Sequence, residues 1–230
     1  MPSPPSSRGA ANRIRPDIEL LDEEGLDGLN MRSLGKRLDS AATAMYWHVK
    51  NKDNLVRLAT DEIWGEIELP DLEDLDWRTA AEALADGMYA MITRHPWIAQ
   101  AQAGYLHYGP NKSRYDDRIL AAFEKAGFDD AGADRAAATL FMFVLGNAVG
   151  HAADVSLNRR LSRKGEDAET QLAQAMSEAT EIAGHYPRLR RRLENPTTAN
   201  DYNAAPESSF TFGLTALLDG LRDRLTGALG

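Results

Sequence analysis

The segment from Gly25 to Lys52 constrains the fold more than any other part of the chain, because it combines two short helical patterns, a turn and several basic side chains. Met31, Leu34 and Leu38 recur at intervals of three and four residues, which predicts a short helix with one apolar stripe. An Asp-Ser pair then provides a turn and a capping oxygen for a second helix over residues 41–48. Two helices joined in this way form a helix-turn-helix, which places its second helix in the major groove of DNA.

The second helix is predicted to begin with small residues, and polar donors occupy its end and the residues beyond: Tyr46, His48, Lys50 and Lys52. Small residues allow a helix to approach another surface closely, and the donors can hold phosphates. A helical hairpin of this shape is also common in ordinary globular proteins. Shape alone therefore leaves two interpretations open, a DNA-binding head and a purely structural hairpin.

Several short motifs in the chain resemble those of a known protein family. MYWHVKNK at Met45–Lys52 differs at one position from LYWHVKNK, a hallmark of the tetracycline-repressor (TetR) family of bacterial regulators. The preceding ELLDEEGLDGLNMRSLGKRL resembles the first two helices of that family, and Asp76-Trp77-Arg78 and His95-Pro96-Trp97 resemble its tetracycline-repressor-like C-terminal domain. The resemblance covers most of residues 13–228 and is strongest over 19–52. It implies an all-α fold, with a three-helix helix-turn-helix head joined by a connecting helix to a larger helical domain for ligand binding and dimerisation.

The resemblance also implies a DNA site. By this resemblance, the positions that contact phosphates and bases in the family correspond to Arg32, Ala42, Thr43, Ala44, Tyr46, His48 and Lys52. Arg32 is the best candidate for a bidentate contact with guanine, and the Tyr46 hydroxyl and Lys52 fit phosphate contacts. Where the tetracycline repressors have Gln-Pro-Thr, residues 42–44 are Ala-Thr-Ala, so we expect a different operator.

Changes in composition along the chain predict that it divides into three regions. Residues 1–11 are rich in Pro, Ser and Gly and lack an apolar period, which predicts a disordered N-terminal arm. Residues 12–68 form the head and the connecting helix, with the first helix starting late so that Pro16 lies in its first turn, and ending near Gly25. Residues 69–230 form the ligand-binding and dimerisation domain.

Apolar periods and their breaks predict a connecting helix over 51–67 and further helices, with no strand-like alternation. These helices span residues 77–94, 97–102, 111–126, 131–157, 166–183 and 208–229. The basic stretch NRRLSRKG at 158–165 predicts a solvated loop, and a Pro- and Asn-rich link is expected before the last helix.

Two features predict a homodimer. Gly146 and Gly150 lie four residues apart, which permits the close approach of another helix, and the helix over 208–229 carries an apolar stripe that needs a partner. In the family, the helices matching 131–157 and 208–229 form a four-helix interface between two copies. A dimer suits two-fold operator DNA, whose half-sites lie about 34 to 36 Å apart or a multiple of that.

Composition limits the partners and the compartment. The 230 residues carry a net charge of −9, of which residues 1–52 contribute +1 and the remainder −10. This imbalance confines DNA to the head and predicts binding that weakens with salt. The absence of cysteine excludes disulfides, thiolate metal sites and cysteine nucleophiles. No apolar run is expected to approach the roughly 20 residues of a membrane span and no signal peptide is apparent, so we expect a cytoplasmic protein.

The candidate ligand site combines aromatic and polar side chains of the larger domain: Trp64, Trp97, Tyr105, His107, Tyr108, Phe141, Asn147 and His151. Core packing is the alternative role for each of them singly, whereas as a group they suggest a flat cationic or polyaromatic effector. The tetracycline repressors bind drug-chelated magnesium through a loop histidine, and an ungapped alignment places Tyr105 there, which argues against tetracycline. The sequence predicts no cofactor and no metal ligand set.

The resemblance implies a sequence-specific transcriptional regulator, a repressor that a small molecule releases from its operator. Effector binding would shift the helix over 51–67 and change the separation of the two heads. An enzyme is the competing class, but the histidines at 48, 95, 107, 151 and 185 show no ligand spacing and no nucleotide-binding or triad motif is present. A helical adaptor whose head binds a protein is the third interpretation, and duplex binding that weakens with salt would exclude it.

Overall fold

The computed structural model describes residues 7–29, 51–164, 166–194 and 208–227. Within these ranges the chain forms α-helices joined by turns and contains no strand, which confirms the predicted all-α fold. The helices are α1 (Ser7–Gly28), α2 (Lys52–Trp64), α3 (Trp77–Arg94), α4 (Trp97–Gly104), α5 (Pro110–Ala126), α6 (Asp130–Lys164), α7 (Glu166–Gly184), α8 (Pro187–Leu193) and α9 (Ser208–Leu225).

The core lies where α3, α5 and α6 pack against one another. Helix α3 contributes Leu84, Met88 and Ile92, whose four-residue spacing places them on one buried face. Helix α9 closes one side of this core through Phe210, whose ring stacks on Tyr89 at 4.3 Å between centroids. The larger domain is therefore a helical bundle held together by apolar side chains at helical spacing.

Helix α3 begins where the sequence provides a strong cap. The Asp76 carboxylate accepts hydrogen bonds from the backbone N–H of Arg78 at 3.0 Å and of Thr79 at 3.1 Å. The Thr79 hydroxyl also donates to Asp76 at 2.6 Å, and these bonds lower the pKa of the carboxyl. Such a cap satisfies backbone donors that a helix start leaves free, so Trp77–Arg94 begins at the predicted residue.

Helix α1 corrects two predictions. It begins at Ser7, so the disordered arm over residues 1–11 is wrong for residues 7–11, and Pro16 lies inside the helix rather than in its first turn. A proline removes one backbone hydrogen bond, but Ile14 and Ile18 are buried on either side of it and hold the helix against α2 and α4. The first helical segment ends near Gly25 as predicted, because Gly25 has φ 69° and breaks the helical backbone; a second short helical segment then completes α1 to Gly28.

Helix α6 is longer than predicted. It runs to Lys164, so the solvated loop expected over residues 158–165 is wrong for residues 158–164. Arg, Leu and Lys are good helix formers, and basic charge without Gly or Pro does not end a helix.

The part of α6 over 130–157 is also long and apolar enough to cross a membrane, contrary to the expectation that no run approaches that length. Core helices of soluble proteins share this property, and α6 buries Leu140 and Val144 in the core.

Helix α8 was missed by the sequence pattern, which predicted a link after residue 183. Pro187 occupies its first turn, where the absence of a proline N–H has no cost, and the following PRLRRRL contains good helix formers. The helix packs against α7 and buries no side chain.

Asp17 on α1 gives a testable pH dependence. It is 1% exposed, its Oδ1 has no hydrogen-bond partner among the residues that the structure describes, and burial raises its pKa to about 6. A carboxyl with a raised pKa stabilises the fold below its unfolded pKa, and this contribution is lost as pH rises through 6. We expect Asp17→Asn to gain about 1 to 2 kcal/mol of unfolding free energy relative to wild type between pH 4 and pH 7.5. Urea unfolding at both pH values measures this gain.

The matched control for that change is Glu19→Gln, which removes an exposed carboxylate from the same helix. The control should follow the pH dependence of the wild type. A constant difference between Asp17→Asn and wild type at all pH values would show that the Asp17 carboxyl is not desolvated.

Candidate functional site

The predicted DNA contacts lie mostly outside the described residues: Arg32, Ala42, Thr43, Ala44, Tyr46 and His48. Lys52, the seventh, is the first residue of α2. Its Nζ donates a hydrogen bond of 2.7 Å to the carbonyl oxygen of Leu26, just after the break at Gly25. Lys52 thus joins the end of α1 to the start of α2, in addition to the phosphate contact that the resemblance implies.

Helix α2 is packed on two sides. It contacts α1 of the head and α5 of the larger domain, and it buries Leu55, Val56, Ala59 and Ile63 between them. Asn51 caps its start by accepting a 2.9 Å hydrogen bond from the N–H of Asn54. The position of α2 is therefore coupled to both domains through its apolar faces.

A polar contact adds to this coupling. Asp61 of α2 accepts hydrogen bonds from the backbone N–H groups of Asn111 at 3.1 Å and Lys112 at 3.0 Å, at the start of α5. Helix α5 has no side-chain cap from its own N-cap residue, Gly109. A Cβ at Gly109 would overlap the Asp61 carboxylate, so glycine is required for this close approach. Asp61 thus caps a neighbouring helix and interacts favourably with its positive end.

An aromatic cluster lies at the C-terminal end of α2. Trp64 is fully buried and its ring lies 4.8 Å from that of Tyr115 and 6.4 Å from that of Phe141 between centroids. The Lys112 ammonium lies 4.9 Å from the centre of the Trp64 ring and also pairs with Asp116. Burial raises the pKa of Tyr115, whose hydroxyl donates to the Leu84 carbonyl. The structure therefore brings Trp64 and Phe141 together, as the candidate ligand site requires.

Several buried polar atoms have no hydrogen-bond partner within the described part of the chain. In α2, α4 and the loop that follows α4 these atoms are Thr60 Oγ1, Trp64 Nε1, Gln102 Nε2 and both ring nitrogens of His107. Burial, with a smaller contribution from the Lys112 charge, outweighs the opposing effect of the nearby Ala101 backbone and lowers the pKa of His107, which favours the neutral imidazole. Indole and amide N–H groups can only donate, so a ligand would satisfy these atoms mainly with hydrogen-bond acceptors.

The other predicted ligand residues lie elsewhere. Tyr105 and Tyr108 line a surface recess of about 300 Å³ together with Arg57, whose guanidinium lies 4.9 Å from the centre of the exposed Tyr108 ring. The Asn147 amide donates to the Phe143 carbonyl of its own helix at 2.8 Å. The side chain of His151 is outside the described residues. The eight candidates therefore do not form one compact site.

Trp97 belongs to a junction between the head and the larger domain. Its indole N–H donates to Asp22 Oδ1 of α1 at 2.8 Å. The same Asp22 oxygen lies 2.8 Å from His95 Nδ1, and His95 Nε2 lies 3.2 Å from Glu66 Oε2. Arg159 of α6 donates to the Asp22 carbonyl oxygen. Four separate segments thus meet at the end of α1.

A recess also borders this junction. It has a volume of about 590 Å³ and is lined by the end of α1, by α4 and by the C-terminal half of α6, including Leu26, Gln100 and Ser156. A smaller recess of about 280 Å³ lies between α5 and α6 beside Lys112 and Phe141. Among the described side chains, no group of three His, Asp or Glu residues is arranged to hold a metal ion.

Sequence reasoning overlooked the residues that join the two domains, namely Asp22, Asp61, Glu66 and Arg159. One signal was available for Asp61, because Gly109-Pro110 begins a helix without a capping side chain of its own and needs an external acceptor. His95 and Trp97 were noted as part of a family motif, but not as partners of α1.

Comparison with known proteins gives the family. The profile described as "Tetracyclin repressor-like, C-terminal domain" matches residues 69–225. An HTH-type transcriptional regulator of Saccharopolyspora erythraea is 35% identical over 130 residues, a match that spans 56% of this chain and 55% of that protein. The HTH-type transcriptional repressor DrrR1 of Streptomyces coeruleorubidus is 31% identical over 206 residues, 89% of this chain and 73% of that protein.

A solved structure shows the same fold. The Streptomyces coelicolor TetR family protein ActR, in complex with actinorhodin, superimposes with a TM-score of 0.68 at 23% identity and covers 99% of this chain and 100% of that one. The profile match extends over more than half of the chain, and DrrR1 is matched over most of its length. The chain therefore belongs to the TetR family of transcriptional regulators.

Proposed function

We propose that this regulator represses transcription as a homodimer bound to operator DNA, and that a small-molecule effector releases it. The observation that carries the proposal is the double attachment of α2. Lys52 at its start donates a hydrogen bond to the Leu26 carbonyl of the head, and Asp61 in its last turn caps α5 of the larger domain. A ligand that moves the start of α5 therefore moves α2 and the head with it. The relative DrrR1 is itself described as a transcriptional repressor.

The effector site is proposed at the buried polar atoms around Trp64 and His107. Unpartnered donors on Trp64 and Gln102 would be satisfied by carbonyl or phenolate oxygens, and the Lys112 ammonium over the Trp64 ring disfavours a second cation. We therefore prefer an acceptor-rich polyaromatic effector to the cationic one that the sequence left open. ActR, which shares the fold, was solved with the small molecule actinorhodin bound.

The homodimer is proposed to form through α6 and α9. Met142 of α6 is 65% exposed and Phe212 of α9 is 77% exposed. A Cβ at Gly146 or Gly150 would meet no atom within 4 Å in the described part of this chain. Large apolar side chains beside bare glycines form a surface on which a helix of a second copy can pack closely.

Operator binding tests the proposed function. Fluorescence anisotropy of labelled duplexes from around the protein's own gene should show tight binding to one sequence, weakened at least about tenfold when salt rises from 50 to 200 mM. Arg32→Ala should weaken that binding by about 1 to 3 kcal/mol and relax selectivity at one base pair. Lys125→Ala, remote from the head on α5, is the matched loss of one positive charge and should leave the affinity unchanged.

The alternatives predict other results. Equal loss of affinity in Arg32→Ala and Lys125→Ala would show that charge, not base reading, accounts for binding. If no duplex binds with or without candidate effectors, the helical adaptor becomes the better interpretation.

A further inference from the structure

We propose that His95, held as an imidazolium between Asp22 and Glu66, fixes the orientation of the DNA-binding head relative to the larger domain and releases it on losing a proton. That His95 fixes the head is argued from the contacts alone. The consequence of this fixation for operator binding rests on the function proposed above.

The positions of the two carboxylates around the His95 ring require a proton on each of its two nitrogens. Nδ1 lies 2.8 Å from Asp22 Oδ1 and Nε2 lies 3.2 Å from Glu66 Oε2, so each ring nitrogen faces a carboxylate. A neutral imidazole has one N–H and one lone pair, and it would turn the lone pair towards one of the two carboxylates. Both contacts are favourable together only when the ring carries two N–H groups and a positive charge.

The surroundings of the ring retain the proton. Burial by itself lowers the pKa of His95, but the hydrogen bonds and negative charges of Asp22 and Glu66 outweigh it and raise the pKa above its ordinary value. Arg94 shares Glu66 Oε2 at 2.8 Å, and the Trp97 N–H donates to the same Asp22 oxygen, so both carboxylates are held in place. The His95 side chain is only 6% exposed, so salt and solvent screen these contacts weakly.

The position of His95 connects separate domains. Asp22 belongs to α1 of the head, and Glu66 follows the end of α2 by two residues. His95 occupies the turn between α3 and α4 in the larger domain. Arg159 of α6 binds the Asp22 carbonyl and continues to hold α1 when His95 is neutral. Loss of the proton therefore removes one of the attachments of the head without unfolding it.

The sign of the pH effect follows from the raised pKa. The fixation is fully present below the ordinary histidine value of about 6.5 and is lost as pH rises through the raised pKa. Asp17 on α1 also titrates, with a pKa of about 6, so its effect must be separated from that of His95. An Asp17→Asn background achieves this separation.

The test measures head orientation directly. Because the chain has no cysteine, Glu19→Cys on α1 and Glu124→Cys on α5 can carry a pair of nitroxide labels on otherwise intact protein, diluted with unlabelled chain. Pulsed paramagnetic resonance then gives the distance distribution between α1 and α5 at pH 6 and pH 9. We expect the distribution to broaden about twofold between these pH values, and the Asp17→Asn background to retain the change.

Three variants make the result specific. His95→Gln, a neutral side chain of similar reach, should give the broad distribution at both pH values. Asp22→Asn and Glu66→Gln should each shift the transition to lower pH, because each removes one charge that retains the proton. A distribution that does not change with pH in the wild type, or that changes equally in His95→Gln, would overturn the proposal.

Operator affinity on the same samples separates this proposal from the proposed function. Broadening with pH in a protein that binds no duplex would overturn the regulator function and support the fixation. Duplex binding with unchanged distances would overturn the fixation and support the regulator.

Discussion

Gly146→Leu is expected to convert the proposed homodimer into a monomer of 25.3 kDa and to weaken operator binding by about two orders of magnitude. Gly146 lies on the exposed face of α6 with Met142, and no atom of the described chain lies within 4 Å of a Cβ built on it. A leucine there would hold a partner helix away from the α6 backbone. Binding of one head to one half-site would remain, without the gain from two linked contacts. Light scattering and duplex anisotropy on the same samples measure both effects.

Ala83→Leu provides the matched control for that substitution. It introduces a large side chain at a small, exposed position of α3 and should leave mass and affinity unchanged. A dimeric Gly146→Leu protein with normal operator affinity would place the dimer interface elsewhere.

Gly109→Ala is expected to lower the free energy of unfolding by about 2 to 4 kcal/mol, through overlap with the Asp61 carboxylate and loss of the α5 cap. Urea unfolding followed by circular dichroism measures the change. Gly104→Ala is the control, because a Cβ there meets no atom within 4 Å in the described chain. The double variant Asp61→Ala/Gly109→Ala should lose less than the sum of the two single changes, since removing the carboxylate removes the overlap. Strict additivity would show that Asp61 and Gly109 do not interact.

Helix positions were predictable where the chain carries both an apolar period and a stop signal. His95-Pro96 ended α3 after Arg94, and Gly127, with φ 105°, ended α5 after Ala126, both as predicted. Errors occurred where composition was used without periodicity. The basic residues before Gly165 continued α6, and the stretch over residues 1–11, rich in Pro, Ser and Gly, was interpreted as an arm although residues 7–11 are helical.

Which of the candidate ligand residues lie together could not be predicted from the sequence, because residue type does not give the direction of a side chain. Trp64 and Phe141 do meet, whereas Trp97 turns to α1 and Tyr108 to the surface. The contacts between domains were beyond prediction for another reason. Asp22 and His95 are 73 residues apart in the chain, and no local pattern connects them. Most of the DNA contacts rest on the family motif alone, since they lie outside the described residues.

The length of α6 determines how small a disturbance can reach the head. Phe141, beside Trp64, and Arg159, bonded to the Asp22 carbonyl, are separated along one continuous helix by about 27 Å at 1.5 Å per residue. A rigid rod of that length that tilts by roughly 5° at one end moves its other end by about 2 Å. Hydrogen-bond lengths tolerate only about 0.5 Å. If the effector binds at the proposed site and tilts α6 by this amount, the hydrogen bond between Arg159 and the Asp22 carbonyl breaks and the head loses one of its attachments.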